Sequence, residues 1–109
     1  MLLRPEGFRR LCRAREWLTE LDGPQPTIEA RAREVGISPY HFLRQFQAVF
    51  GITPHQCRIQ VRLDRAKQLL AANQHSVTGV CMEVRFSSLG SFSTLFSRRF
   101  RETPSIVGA

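Results

Sequence analysis

The 109-residue chain has a single lysine, Lys67, against fifteen arginines, and only nine acidic residues offset them, leaving a net charge of +7. A surface so short of carboxylates attracts polyanions at long range, nucleic acid first among them. Arginine in place of lysine sharpens that reading, because a rigid guanidinium fork matches phosphates and guanine edges. No pair of carboxylates converges in a catalytic pattern. Cysteine is scarce and odd in number: Cys12, Cys57 and Cys81 form no CxxC pair, and each sits among apolar helical positions. They read as small buried residues rather than metal ligands or nucleophiles. His41, His55 and His75 are scattered without an HExxH spacing, so no metal and no cofactor is expected. No apolar run approaches the roughly 18 residues of a membrane span, so no spanning helix and no membrane partner are expected. Met1-Leu2-Leu3-Arg4 leads straight into charged sequence without a secretory signal, so the expected localisation is cytoplasmic.

What is present is enough apolar residue, 42% of the chain, to fold one compact domain. Helical periodicity dominates, and glycine and proline fall between the periodic segments. A first helix starts near Pro5-Glu6 with Phe8, Leu11, Cys12, Trp17 and Leu21 on its apolar face, and Asp22-Gly23-Pro24-Gln25-Pro26 stops it. Thr27 caps a second helix that runs to about Val35 and ends at Gly36. Ser38-Pro39 starts a third, as N-cap and first helical residue, which Gly51 ends. Thr53-Pro54 repeats that signal before a long fourth helix to about Ala72, with Ile59, Leu63, Ala66, Leu69 and Leu70 on one face. Ser76 caps a fifth helix over 77–84, a sixth spans Leu89 to Phe100, and Thr103-Pro104 opens a last turn.

The most informative feature is internal repetition. Glu34-Val35-Gly36-Ile37-Ser38 resembles Glu83-Val84-Arg85-Phe86-Ser87, and Phe42 and Phe46 match Phe92 and Phe96. Phe50-Gly51-Ile52-Thr53-Pro54 matches Phe100-Arg101-Glu102-Thr103-Pro104. The offset is 49 residues before the turn and 50 after it, which one residue inserted in the second turn explains. Each copy reads as short helix, tight turn, longer helix, with a small residue four before the turn position: Ala32 before Gly36, Cys81 before Arg85. That is the helix-turn-helix pattern, whose second helix enters the major groove of DNA. The joining helix, at about 18 residues, spans roughly 27 Å. Successive major-groove faces recur about every 34 Å, so one monomer is suited to read two adjacent segments. The expected fold is all-α, with residues 6–53 and 74–109 as two helix-turn-helix subdomains and 54–73 as the linker helix.

These residues resemble the AraC/XylS family of bacterial transcription regulators over nearly the whole chain. The resemblance rests on three stretches. They are Ser38-Pro39-Tyr40-His41-Phe42-Leu43-Arg44-Gln45-Phe46 with Gly51-Ile52-Thr53-Pro54, then Arg62-Leu63-Asp64-Arg65-Ala66-Lys67-Gln68-Leu69-Leu70, and Phe86-Ser87-Ser88-Leu89-Gly90-Ser91-Phe92-Ser93-Thr94-Leu95-Phe96. It implies seven helices, an asymmetric double-stranded DNA site in a promoter or operator, and RNA polymerase as a second partner. It also implies that the first recognition helix reads bases through Tyr40, Leu43, Arg44 and Gln47, with Arg44 on a guanine edge or a phosphate, and that Ser38 and the helix N-terminus hold a phosphate. The second recognition helix presents Leu89, Gly90, Ser93, Thr94, Ser97 and Arg98, with Arg98, Arg99 and Arg101 meeting the DNA backbone. Four positions depart from the family pattern: Thr94 stands where arginine is common, Arg85 and Arg101 replace glycines, and Arg31 replaces an apolar residue. The second head is therefore expected to supply affinity more than sequence choice. Many relatives carry a further domain that binds a small molecule or dimerises. The chain is too short for one, so no small-molecule site is expected here, and the chain is either a stand-alone regulator or the DNA-binding part of a longer protein. The alternative is a protein-interaction module of the same fold with weakened DNA readout. An enzyme with a methyl-accepting cysteine, also known beside this fold, is disfavoured because no cysteine motif contains an activating base.

Overall fold

The computed structural model describes residues 5–20, 27–34, 36–72 and 75–107. Among them the chain forms seven helices and no strand: α1 (Pro5–Thr19), α2 (Ile28–Glu34), α3 (Pro39–Phe50), α4 (Pro54–Ala71), α5 (Val77–Glu83), α6 (Leu89–Phe100) and α7 (Pro104–Val107). Residues 1–4, the helix stop at residues 22–26, Leu21 and Val35 lie outside the described residues. No helix among the described residues is long and apolar enough to cross a membrane.

Hydroxyl side chains define the helix starts by satisfying amide donors that have no partner within the helix. Thr27 accepts from the Ala30 amide at 3.1 Å, Ser38 from His41 at 3.2 Å, Ser76 from Gly79 at 3.0 Å and Ser88 from Ser91 at 3.2 Å. Thr53 and Gln56 cap α4 reciprocally. The Gln56 amide donates to the Thr53 hydroxyl at 3.1 Å, and the Thr53 amide donates to the Gln56 side-chain carbonyl at 2.9 Å.

The two copies match down to individual hydrogen bonds. After α2, Gly36 takes φ +75°; its N–H donates to the Arg33 carbonyl at 3.0 Å, and the Ile37 N–H reaches back to Ala32 at 3.1 Å. After α5, Arg85 takes φ +66°; its N–H donates to Met82 at 3.0 Å, and the Phe86 N–H reaches Cys81 at 3.0 Å. Both are Schellman turns, with the left-handed residue at the position that favours glycine. The inserted residue falls just after this turn, at Ser87, so Ser88 takes the capping role of Ser38. Both α3 and α6 then run 12 residues and close on a left-handed cap, Gly51 at φ 78° and Arg101 at φ 57°.

Two of these four left-handed positions carry a Cβ. A side chain there costs on the order of 1 kcal/mol, partly offset by the larger chain entropy glycine brings to the unfolded state. Arg85→Gly is expected to raise the melting temperature by about 2–5 °C, while Arg85→Ala, which keeps the strained backbone, gives no such gain. A melting curve in which glycine gains nothing over alanine would rule out strain at this turn.

The chain divides into two compact units, residues 1–59 and 60–109, and the division falls inside α4. In the first unit Leu11, Ala14, Trp17 and Leu18 of α1 are buried with Ala32 of α2, Phe42 and Phe46 of α3, and Cys57 of α4. In the second the buried residues include Leu63, Ala66 and Leu70 of α4, Val80, Cys81 and Val84 at α5, Phe92 and Phe96 of α6, and Pro104 of α7. The helix expected as a linker therefore supplies core side chains to both units. Ala32 and Cys81 are buried at matching positions, where a small side chain lets the neighbouring helix approach closely. The aromatic ladders also repeat: Phe46 and Phe50 stack edge-on with centroids 4.7 Å apart, as do Phe96 and Phe100.

The apolar face expected for α1 needs correction. Ala14 and Leu18 complete it, whereas Phe8 is 46% exposed and Cys12 half-buried. At about 100° per residue, the arc spanned by Leu11, Ala14, Trp17 and Leu18 leaves Phe8 and Cys12 to one side. Arg31, standing at an apolar position of the family pattern, lies with its guanidinium 4.6 Å from the Trp17 ring centroid and 2.9 Å from Glu34. An arginine is accommodated there because its guanidinium faces the Trp17 ring while Nη1 pairs with Glu34.

Candidate nucleic-acid interface

Phe42 and Phe46, four residues apart, anchor one side of α3 in the core. Helical spacing points Tyr40, Arg44 and Gln47 away from that side and puts Leu43 on its flank, and all four are exposed, Tyr40 at 61% and Leu43 at 38%. Tyr40, Arg44, Gln47 and Ala48 line an open hollow along this ridge. Within it the Arg44 guanidinium donates to the Tyr40 hydroxyl at 2.7 Å and lies 5.5 Å from the Tyr40 ring centroid. Ser38 stands at the end of the ridge, exposed, its hydroxyl accepting from the His41 amide and lying 2.9 Å from His41 Nδ1.

The equivalent face of α6 is built from smaller groups. Fifty residues on, Tyr40 corresponds to Gly90, Leu43 to Ser93, Arg44 to Thr94, Gln47 to Ser97 and Ala48 to Arg98. Leu89, Gly90, Thr94 and Arg98 are exposed, while Ser93 and Ser97 are half-buried. The first ridge thus carries long polar and aromatic side chains, and the second carries hydroxyls around one leucine and one arginine.

Several cations are engaged within the protein itself. Arg99 forms a bidentate pair with Asp64, at 2.9 and 3.0 Å, and lies 5.6 Å from the Phe100 centroid, with Lys67 Nζ at 4.6 Å from the same ring. Arg99 is therefore tied to α4 of its own unit, a partner that the expectation of a DNA-backbone contact beside Arg98 and Arg101 did not include. In the first unit Arg15 lies 4.5 Å from the Phe50 centroid, and Arg58, like Arg31, faces Trp17, at 5.3 Å. Local periodicity carries no trace of these pairs. The one cue to the Arg99 pair is the rare Asp64, an acid in an otherwise basic stretch of α4.

Burial pushes the Cys57 thiol above its ordinary pKa, against the opposing pull of Arg15 and Arg58, and burial alone does the same to Cys81. Both shifts disfavour the thiolate that nucleophilic chemistry requires. Burial also lowers the Arg58 guanidinium from its usual value.

A helix-turn-helix family model matches residues 31–107. The transcriptional activator RhaS of Salmonella schwarzengrund is 34% identical over 88 residues, covering 81% of this chain and 32% of RhaS. The chain thus spans about a third of the length of that curated relative. Among solved structures, a probable AraC family transcriptional regulator from Rhodopseudomonas palustris is similar at a TM-score of 0.84 and 28% identity, over 92% of this chain and 94% of its own. The DNA-binding domain of AdpA, solved in complex with a target DNA, is similar at a TM-score of 0.70 and 27% identity, over 95% of this chain and 89% of its own. With two matching turn-and-helix units and family agreement across both, this chain belongs to the AraC-type helix-turn-helix family.

Proposed function

We propose that this chain is a sequence-specific DNA-binding domain that regulates transcription from the cytoplasm, with double-stranded promoter or operator DNA as its ligand and RNA polymerase as a second partner. The observation that carries the reading is the exposed α3 ridge of Tyr40, Leu43, Arg44 and Gln47, set on a helix-turn-helix unit with Phe42 and Phe46 in its core. Arg44 contacts a guanine edge or a phosphate, and Ser38 with the α3 N-terminus holds a phosphate. The α6 head, through Leu89, Gly90, Ser93, Thr94, Ser97 and Arg98, adds affinity: its hydroxyls make short hydrogen bonds and Leu89 meets a thymine methyl. Residues 6–53 and 74–109 act as the two reading heads joined through 54–73, and the chemistry is recognition rather than catalysis, with no cofactor.

Selection of bound duplexes from a random library, followed by titration of the winner against salt, tests this reading. The expected result is a defined motif and an affinity that falls steeply with salt on every sequence. The short side chains at Gly90, Ser93, Thr94 and Ser97 favour a second reading, a protein-interaction module of the same fold. Steep salt dependence with no selected motif would support that reading and reject the first.

A further inference from the structure

We propose that Tyr40, in place of the base contact the family resemblance implies for it, is a positioning residue: its hydroxyl holds the Arg44 guanidinium in one orientation and so sets how sharply the first head discriminates bases, without itself touching DNA. This rests on the assignment of α3 as a reading helix. The two residues are four apart on the exposed face, the spacing at which helical side chains meet. The contact combines a 2.7 Å hydrogen bond with a guanidinium 5.5 Å from the ring centroid. Arginine on an open helix face is conformationally free, and that freedom is lost when it engages a base. A tether present before binding removes part of that loss and fixes the direction of the fork. The guanidinium has five N–H donors, and the bond to Tyr40 occupies one, so enough remain to meet the paired O6 and N7 acceptors of guanine. The second head has no such device, because Gly90 and Thr94 stand at the two equivalent positions. The tethered arginine is thus a feature of the first head alone.

The test uses the whole chain, the duplex selected from the random library and its three single-base variants at the position where Arg44→Ala flattens preference. Tyr40→Phe keeps the ring and removes the hydroxyl, and the exposure of Tyr40 lets the variant fold. The best-to-worst base ratio at that position is expected to fall about three- to tenfold. Affinity for random-sequence duplex and the salt slope should stay within about twofold of the parent. In an Arg44→Ala background, Tyr40→Phe should leave the ratio unchanged, as expected for a residue acting through another. The proposal is overturned if Tyr40→Phe leaves the ratio intact, weakens all sequences equally, or still changes the ratio without Arg44; each places Tyr40 on the DNA itself or outside recognition. Failure of the parent chain to select any motif would instead defeat the α3 assignment, and the proposal with it.

Discussion

Phe96→Ala is expected to destabilise the second unit by about 3–5 kcal/mol and lower its melting midpoint by at least about 10 °C. Phe96 has no exposed surface, and it stacks with both Phe92 and Phe100. Its removal takes away the transfer free energy of a whole ring and leaves a cavity that its neighbours fill only partly. The unit is small, and a stability of roughly 0.05–0.15 kcal/mol per residue gives such a body only a few kcal/mol in total. One truncation therefore consumes most of it. Phe96→Leu, which keeps much of the volume, should lose distinctly less. Circular dichroism melts of the two variants check this, and a loss below about 1 kcal/mol for the alanine would show that the second core is not built around this ring.

Arg44→Ala is expected to cost about 1–3 kcal/mol on the selected duplex, a loss of roughly 5- to 150-fold, and to relax preference at one base position. The expectation follows from exposure, from placement opposite the buried phenylalanines, and from a guanidinium fork that no carboxylate occupies in the described contacts. Arg98→Ala on the other head provides the contrast. It should weaken all sequences alike and reduce the slope of log affinity against log salt by about one. Competition binding over matched and mismatched duplexes separates the two. An equal loss on every sequence for Arg44→Ala would make it a phosphate contact.

The parts legible in the sequence are those governed by local chemistry. Ser38-Pro39 and Thr53-Pro54 mark helix starts because a hydroxyl cap and a fixed φ act within one turn of chain. The repeat revealed both turns, and Gly36 and Arg85 do take the left-handed conformation that the comparison of copies suggests. The ridge on α3 was equally readable, since helical period alone sets Arg44 against Phe42 and Phe46. Less accessible was anything decided across elements. Arg99 and Asp64 are 35 residues apart, and only packing within the second unit brings them together. Phe8 has the composition of a core residue but lies off the buried arc, because α1 docks through Leu11, Ala14, Trp17 and Leu18. The uneven use of α4, with Cys57 in one core and Leu63, Ala66 and Leu70 in the other, is likewise a tertiary fact.

The arginine-capped rings alter how the chain's excess charge should be counted. Arg15, Arg31, Arg58, Lys67 and Arg99 each lie against an aromatic face, and two of them also neutralise an acid. Cations held this way do the job of greasy side chains on the protein's own exterior. They contribute to the far field that draws a polyanion in, yet they are poorly placed to displace its counterions on contact. Ion release on complex formation should therefore track the smaller set of outward arginines rather than the formal total.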